Sequence, residues 1–426
     1  MSKPLVHTPE GVRDIYGTEY LQKLAVEERL HQCLRSFGCQ DIQTPTFEFF
    51  DVFSREIGTT PSRELFKFFD KEGDTLVLRP DFTPSMARCA AKYFMDESLP
   101  LRFCYRGSTF LNASSLQGKW KEATQVGAEL IQDCSVQADA EMIAMLAESL
   151  RAAGLTDFQI SIGNVEYFRG ICSQAGLDRE TEDELRELIS SKNIFGAREL
   201  LERKAVRQDY CRILLQVYDL FGQAPTLAQA RALVTNESSI QAIERLEELY
   251  SVLCAYGVER YVSFDLGLLS RYNYYTGIVY KAYTYGVGDA VAKGGRYDRL
   301  LSHFGKPAPA IGFVILVDDL LEALSRQGRS QELHSSGSLI FYDPERFSDA
   351  LALAVCLRQK GDRAELIQAF GEEKAEPAPD GSGFRLPSSW MERAASRLYR
   401  EAVYFPAEGG IVRMPAAHVK SEDGRA

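Results

Sequence analysis

The 426-residue sequence lacks any apolar run long enough to cross a membrane, which takes about 18 residues or more. Its first residues, MSKPLVHTPEGVRDIYG, contain no apolar stretch of the kind that a secretory signal peptide requires. Both absences argue against an exported or membrane-anchored protein. We therefore expect a cytoplasmic protein with no membrane partner.

The sequence is also poor in the patterns that hold metal ions. Its five histidines are scattered, and its nine cysteines include no Cys-x-x-Cys pair. An odd number of widely spaced cysteines favours free, buried thiols in a reducing compartment over a disulfide framework. No Ser-His-Asp arrangement can be assigned either. We expect no metal site and no cofactor.

Positive charge is in deficit along the whole chain. Lysine and arginine number 49 against 60 aspartates and glutamates, which gives a formal net charge of −11. Residues 331–426 show the same balance, with 12 basic and 15 acidic residues. A protein whose main partner is a nucleic acid usually carries a basic surface. We therefore expect no tRNA partner.

Hydrophobic periodicity and composition divide the chain into four consecutive regions. Residues 1–324 predict an α+β core on a largely antiparallel sheet, and residues 165–257 within it predict a helical insertion. Residues 325–337 have the composition of a linker, residues 338–416 predict a small α/β domain, and residues 417–426 predict a tail. An alternating segment, Cys39–Phe53, contains Pro45 and predicts an edge strand.

Candidate site residues are concentrated in one tyrosine-rich segment. FDLGLLSRYNYYTGIVYKAYTYGVG spans Phe264–Gly288, and KGGRYD follows at Lys293–Asp298. Aromatic residues favour strands, so packing alone is one explanation of the tyrosines. The other explanation is that the tyrosines form the wall of a small-molecule pocket. The sequence segments described next favour this second explanation.

Six parts of the sequence, in this order, resemble the histidyl-tRNA synthetases, a branch of the class II aminoacyl-tRNA synthetases. They are TPEGVRDIYG, DIQTPTFE, LVLRPDFT, FCYRGSTF with TQVGAEL, NYYTGIVY with KGGRYD, and PAIGFVILVDDLL. The resemblance implies a class II synthetase-like antiparallel sheet flanked by helices. It also implies a C-terminal domain derived from an anticodon-binding domain. The DIQTPTFE segment is similar to a dimer-forming motif, which implies self-association as a dimer or a higher oligomer.

The resemblance places a nearly complete histidine pocket in this chain. The positions that hold the amino end of histidine in the family are filled by acidic and polar residues, and those of the histidine signatures by tyrosines. Asp81 replaces a glutamate of the family and is shorter by one methylene group. The implied histidine-binding residues are Asp81, Thr83, Gln125, Glu129, Tyr274, Tyr275 and Tyr297.

The resemblance also implies that the nucleotide half of the site has been lost. Adenylation builds negative charge on a phosphate, so it needs cations aimed at that charge. The two family arginines that serve this purpose correspond to Ser270 and Asp319, while Ser108 and Ala123 replace a glutamate and the aromatic residue that stacks on adenine. Arg106 is retained and is a possible anion-binding residue.

Two of these positions have plainer explanations. Arg106 can equally be a structural ion-pair residue, and Asp318 and Asp319 can be solvated acids at the start of a helix. Neither explanation supplies a cation at the position of Asp319.

A histidine pocket without an adenylation site is similar to the family of ATP phosphoribosyltransferase regulatory subunits. That resemblance implies a non-catalytic protein that binds free histidine and a short-form catalytic subunit. Its role would lie in the first step of histidine biosynthesis and in feedback regulation by histidine. A divergent, active histidyl-tRNA synthetase and another ATP-dependent amino-acid ligase remain the alternatives, and both need the missing ATP-binding groups.

Overall fold

The computed structural model describes residues 6–53, 60–112, 120–269, 274–331, 333–369, 375–377 and 384–416. The chain divides into two compact units. The first contains the chain up to Asp14 together with Lys23–Ser330, and the second contains Ile15–Gln22 together with the chain from Gln331 onward. Within the described residues, no helix is long and apolar enough to cross a membrane.

A nine-stranded mixed sheet forms the centre of the first unit, in the order β1-β5-β6-β12-β11-β10-β7-β9-β8. The β1–β5 and β7–β9 pairs are parallel, and the other pairs are antiparallel. A separate three-stranded sheet has the order β2-β4-β3. The strands are β1 (Gln40–Asp41), β2 (Phe47–Phe49), β3 (Lys67–Phe69), β4 (Thr75–Leu78), β5 (Leu101–Phe110), β6 (Glu122–Ile131), β7 (Gln159–Asn164), β8 (Phe221–Gly222), β9 (Val262–Asp265), β10 (Ile278–Tyr283), β11 (Ala292–Arg296) and β12 (Ala310–Leu316).

Among the described residues, ten α-helices precede the sheet of the second unit in sequence. Six of them, α4 to α9, lie between β7 and β9. Some of them begin at the capping residues that helix chemistry favours: the Ser135 hydroxyl accepts from the Ala138 N–H, and the Asn236 amide oxygen accepts from the Ser239 N–H. The helices are α1 (Gly17–Ser36), α2 (Thr83–Tyr93), α3 (Val136–Ala152), α4 (Val165–Gln174), α5 (Arg179–Ser190), α6 (Ile194–Arg203), α7 (Gln208–Gln216), α8 (Pro225–Ala232), α9 (Glu237–Tyr256) and α10 (Val317–Arg326).

The second unit contains a four-stranded sheet in the order β14-β13-β17-β18. Its strands are β13 (Ser338–Tyr342), β14 (Ala364–Gln368), β17 (Glu401–Phe405) and β18 (Val412–Pro415), with α11 (Phe347–Gln359), α12 (Ser388–Ser396) and the short pair β15 (Glu376–Pro377) and β16 (Phe384–Arg385). Trp390 of α12 stacks on Phe341 of β13, with ring centroids 3.9 Å apart. The predicted tail, 417–426, lies outside the described residues.

Two expectations about local structure are wrong. Cys39–Phe53 is not one edge strand: β1 joins the nine-stranded sheet, whereas β2 belongs to the three-stranded sheet, and Pro45 lies between them. Proline has no N–H to donate, so pairing is interrupted there. The nine cysteines are all free, but only Cys39, Cys104 and Cys172 are buried.

One buried carboxylate joins three elements of the first unit. Asp139 of α3 is completely buried and accepts hydrogen bonds from Arg296 of β11 and Arg245 of α9, both from Nε at 2.8 Å. Arg296 also donates to the backbone carbonyl of Asp133 at 3.0 Å. The arginines lie 157 and 106 residues from Asp139 in the chain, so this contact ties distant segments together.

We expect Asp139→Asn to lower the free energy of unfolding by about 3–5 kcal/mol, because it removes the buried counter-charge that Arg296 and Arg245 share and leaves Arg296 only the less buried Asp298. Glu148→Gln is the matched control, since Glu148 pairs with Arg151 at the surface of the same helix and such pairs contribute about 0–1 kcal/mol. Thermal and urea unfolding of the three proteins measure the difference. Equal losses in both variants would contradict a central role for Asp139.

Candidate functional site

A cavity of about 300 Å³ lies on one face of the nine-stranded sheet. Asp81, Thr83, Tyr274, Tyr275 and Tyr297 line it, so five of the seven predicted histidine-binding residues are brought together around one space. The five come from three separate stretches of sequence: the loop that leads into α2, the segment before β10, and the end of β11.

The floor of the cavity is built where glycines replace side chains. Gly295 of β11 and Gly312 of β12 are directly opposite in the sheet, and Glu129 of β6 is opposite Gly312 on the other side. A Cβ atom at Gly312 would lie 1.6 Å from Oε2 of Glu129, and one at Gly295 would lie 2.6 Å from the ring of Tyr275. Any larger residue at Gly312 would therefore displace the Glu129 carboxyl group.

Glu129 is the predicted residue at the bottom of the site, and its side chain is almost fully buried. Its carboxyl group accepts hydrogen bonds from the Thr83 hydroxyl at 2.9 Å and from the Tyr297 hydroxyl. The Tyr105 hydroxyl lies 3.5 Å away. Burial raises the pKa of Glu129 to about 8, although the hydrogen bonds from Tyr297 and Thr83 act in the opposite direction.

Asp81 supplies a second carboxyl group to the cavity. It lies just before α2 and accepts a long hydrogen bond, 3.4 Å, from the backbone N–H of Thr83. Burial raises the pKa of Asp81, and the positive charge of Lys293 opposes that rise. Asp81 lines the cavity, and Glu129 lies behind the lining residues Thr83 and Tyr297, so a cationic group in the cavity would draw both carboxyl groups towards the charged form.

The arrangement is suited to a small molecule with a protonated amine and a ring. The two carboxyl groups and the Thr83 hydroxyl provide acceptors for an ammonium group. Tyr274 forms an aromatic wall, with its ring centroid 4.6 Å from that of Tyr275 and 5.9 Å from that of Tyr297. Aromatic rings and phenol hydroxyls can hold a planar, polar ring such as an imidazole.

Three predicted site residues do not border the cavity: Glu129, which is buried beneath it, Gln125 and Arg106. Gln125 lies on the same strand and face as Glu129 but four residues away, and its buried Oε1 has no hydrogen-bond partner among the described residues. Arg106 reaches Glu28 of α1, with 3.4 Å between Nη1 and Oε2. Ser270, the first of the expected nucleotide-site losses, lies outside the described residues.

The aspartates that begin α10 are not simply solvated acids, as one explanation of the sequence held. Asp318 forms an ion pair with Lys23 at 2.7 Å and accepts from the backbone N–H of Thr124 at 2.7 Å. Lys23 is buried in α1. Asp319 is also partly buried. This side of the site therefore contains carboxylates that already neutralise a buried lysine.

One possible ligand set for a metal was not foreseen, because its members are far apart in sequence. His31, Asp41 and Cys104 bring ligand atoms within 4.8 Å of one another. Within the trio, Asp41 interacts with the His31 ring and lies 3.5 Å from the Cys104 sulfur. The hydrogen bond from His31 lowers the pKa of Asp41, and burial raises that of the Cys104 thiol to about 12. A hydrogen-bonded trio accounts for these contacts.

Sequence reasoning missed three residues of the site. Lys293 lines the cavity, Tyr105 stands beside Glu129, and Gly312 makes room for the carboxyl group. Lys293 and Gly312 fall within the KGGRYD and PAIGFVILVDDLL segments, but their roles depend on the pairing of β11 with β12 and of β12 with β6. Glycines at registered positions of neighbouring strands are the signal that could have indicated the floor.

Comparisons with known proteins agree with one another. The sequence profile of the family described as "Histidyl-tRNA synthetase" matches residues 11–320. An ATP phosphoribosyltransferase regulatory subunit from Ruminiclostridium cellulolyticum is 39% identical over 365 residues, which cover 86% of this chain and 87% of the relative. The protein of the same description from Acetivibrio thermocellus is 39% identical over 366 residues, covering 86% and 88%.

Solved structures show the same likeness. A structure from Bacillus halodurans, described as an ATP phosphoribosyltransferase regulatory subunit/histidyl-tRNA synthetase, matches with a TM-score of 0.81 and 31% identity, covering 96% of this chain and all of the other. A histidyl-tRNA synthetase from Nostoc matches with a TM-score of 0.76 at 20% identity, covering 97% and 98%, which supports the fold alone. The expected class II synthetase-like fold is confirmed.

We expect Glu129→Gln to change how stability depends on pH. An unfolded chain ionises this carboxyl group near pH 4.5, whereas the folded protein holds the proton up to about pH 8. Stability from Glu129 is therefore complete below about pH 4.5 and is lost as the pH rises to about 8. The Tm of the variant relative to the original protein should increase from pH 5 to pH 8.

The control is Glu122→Gln, an exposed position on the same strand. Its Tm difference from the original protein should stay nearly constant over that range. Thermal unfolding at four pH values in one buffer series gives both curves. A Glu129→Gln difference that is flat between pH 5 and pH 8 would show that the folded protein ionises Glu129 normally.

Proposed function

The chain belongs to the family of ATP phosphoribosyltransferase regulatory subunits, and from this premise we propose that it is a non-catalytic subunit that binds histidine in the cavity above Glu129. It controls a separate, short-form catalytic phosphoribosyltransferase in the first step of histidine biosynthesis. It acts in the cytoplasm, where free thiols like those of its nine cysteines persist.

One observation carries the proposal: the amino-acid half of the site is assembled, whereas the charges on the nucleotide side are already compensated. Asp81, Thr83 and Glu129 converge at the cavity. Their convergence requires a buried carboxyl group with a raised pKa, which costs stability at neutral pH. Such a cost is typical of a site that has a ligand to bind.

The positions that would serve ATP support the lack of catalysis. Arg106 faces Glu28, and Lys23 is paired with Asp318. Burial raises the pKa of the neighbouring Glu27 because it disfavours the charged carboxylate, while the charges of Lys23 and Arg106 oppose that rise. A polyphosphate approaching this side would meet several carboxylates. Removal of a single group that stabilises the transition state typically costs about 10²–10³ in rate.

A partner follows from thermodynamics. A protein that binds a small molecule and performs no chemistry can act only by binding differently to two states of something else. The named activity of its relatives is regulation of ATP phosphoribosyltransferase. Histidine is the end product of the pathway that begins with that enzyme, so its binding here would signal that enough histidine is present. Typical coupling energies of about 1–3 kcal/mol correspond to about 5- to 150-fold effects.

We expect the purified chain to raise the rate at which a short catalytic subunit from the same source forms phosphoribosyl-ATP, and we expect histidine to reduce that rate. The physical reason is the coupling of histidine binding to the state of the complex. Asp81→Asn should keep the activation and lose most of the sensitivity to histidine. Asp96→Asn, at an exposed position after α2, should behave like the original protein.

Two results would contradict this function. If the chain does not activate the catalytic subunit and the two proteins do not comigrate on gel filtration, the proposed partner is refuted. Histidine-dependent exchange of pyrophosphate into ATP, clearly above a control without protein, would instead favour an active synthetase or another ATP-dependent ligase. Activation that is insensitive to histidine would support the proposed partner but refute histidine as the regulatory ligand.

We also infer that the chain self-associates. Phe47 and Phe49 of β2 are more than half exposed, and Phe68 of β3 packs edge-to-face against Phe47 with centroids 5.8 Å apart. These three rings form an aromatic face on the three-stranded sheet, next to Pro45. Exposed apolar patches of this kind commonly mark contacts between proteins. A second copy of the chain is the occupant that we propose.

The double substitution Phe47→Ser with Phe49→Ser should shift the molar mass, measured by light scattering at micromolar concentration, from a dimer or higher oligomer to a monomer. The two aromatic rings would be buried between the copies, so their removal takes away the apolar contribution to association. Phe195→Ser is the control, because Phe195 is 87% exposed on α6, away from this sheet. A monomeric mass for the original chain would refute self-association in the absence of the partner.

A further inference from the structure

Two lysines face each other on the strands that form the wall of the cavity. Lys281 of β10 and Lys293 of β11 are directly opposite in the antiparallel register, so their side chains leave the same face of the sheet. A second cavity of about 290 Å³ is lined by both lysines, and it shares Tyr275, Lys293 and Gly294 with the first. The two spaces are therefore adjacent, and Lys293 borders both.

Like charges at directly opposite positions of a sheet are unfavourable unless an anion lies near them. Each lysine has an aspartate close enough to interact with it. The charge of Lys293 acts on Asp81, and the charge of Lys281 acts on Asp265. Lys293 and Asp81 both line the first cavity. This cavity therefore contains opposite charges on two of its walls rather than acid alone.

A free amino acid requires such an arrangement. Its ammonium and carboxylate groups are attached to one carbon atom, so both must be accommodated in the same small volume. A pocket with only Asp81 and Glu129 would attract the ammonium group and repel the carboxylate, and would select a simple amine. Burial of an unpaired carboxylate is costly. A cation on the wall opposite the acids removes this cost.

We propose that the Lys293 ammonium group binds the α-carboxylate of the ligand and thereby selects an amino acid over the corresponding amine. This inference rests on the proposed histidine-binding function. Among the described residues that line the first cavity, Lys293 is the only one with a positive side chain. Thr83 and the carboxyl groups of Asp81 and Glu129 hold the ammonium end, and the tyrosines surround the ring.

The proposal also describes what changes on binding. In the empty site the charge of Lys293 partly compensates that of Asp81. The ligand presents its ammonium group to the acids and its carboxylate to the lysine. Asp81 then interacts with the ligand's ammonium group in place of Lys293, and Lys293 interacts with the ligand's carboxylate in place of Asp81. A zwitterion itself brings no net charge into the site, whereas a cationic amine brings one positive charge.

The test compares L-histidine with histamine, which has the same ring and ammonium group but no carboxylate. Calorimetric titrations use the full chain, alone and mixed with the catalytic subunit. For Lys293→Met we expect the affinity for histidine to fall about 10- to 100-fold, the range typical of a lost charge-assisted hydrogen bond. The affinity for histamine should stay the same or rise, because a like charge has been removed.

Two further variants make the result specific. Lys281→Met removes the opposite lysine, which lines the second cavity only, and should retain the preference for histidine. Lys293→Arg should restore most of the affinity, because it restores a cation. Equal Tm values for the variants exclude a general loss of structure. Opposite effects of Lys293→Met on the two ligands would support the proposal, since a merely structural role would weaken both.

Other outcomes would overturn it in distinguishable ways. If the original chain binds neither ligand, alone or with the partner, the proposed function fails and this inference fails with it. If the original chain binds histidine and Lys293→Met binds it equally well, only the role of Lys293 is refuted. Equal weakening of both ligands would reduce Lys293 to a structural residue. If Lys281→Met alone abolishes the preference for histidine, the carboxylate lies in the second cavity.

Discussion

The close approach of the Glu129 carboxyl group to the backbone of Gly312 is the constraint on which the site depends. No side chain can be present at Gly312, because its first carbon would overlap the carboxyl oxygen. The acid is thereby held below the surface of the sheet, where burial keeps it largely protonated at neutral pH. Thr83 and Tyr297 can then donate to it from two different segments. A glycine in one strand thus influences the geometry of side chains from three other segments: Glu129 of β6, Thr83 at the start of α2 and Tyr297 after β11.

The two sides of the proposed site differ in how their charges are balanced. On the side proposed to bind the amino acid, burial raises the pKa values of Asp81 and Glu129, so a ligand cation would favour their charged forms. On the other side, Arg106 and Lys23 are matched by Glu28 and Asp318 within the protein itself. Under the proposed function, the fold binds an amino acid on one side, while the cations on the other side are paired within the protein. A regulatory subunit needs to bind its ligand but does not need to catalyse a reaction of that ligand.

Much of the fold could be predicted because its elements are long and periodic. Apolar alternation predicts strands at Leu101–Asn112 and Ala123–Gln132, which agree with β5 and β6 to within two residues. Helical periodicity predicts a helix from Ala138, and α3 begins two residues earlier. Short elements with non-local partners could not be predicted in this way. The Cys39–Phe53 segment alternates like one strand, but its two halves pair with strands about 60 and 30 residues further along.

The site shows the same division. The residues that a family resemblance can assign were predicted, and five of them line one cavity. Lys293 escaped because a lysine in a strand has no special meaning until its register with Lys281 and its position beside the cavity are known. Gln125 was assigned by resemblance to the histidine site, yet the cavity ends before it. Pairing across strands, which sequence order does not reveal, decided both cases.

Asp139 has a consequence for how the first unit opens. Helix α9 cannot separate from α3 without removing Arg245 from the buried carboxylate that also holds Arg296, one residue before Tyr297. Fluctuations that expose α9 alone are thereby suppressed, so the helices between β7 and β9 and the wall of the cavity belong to one cooperative unit. Rigidity at the cavity is therefore maintained in part by a helix that contributes no side chain to it.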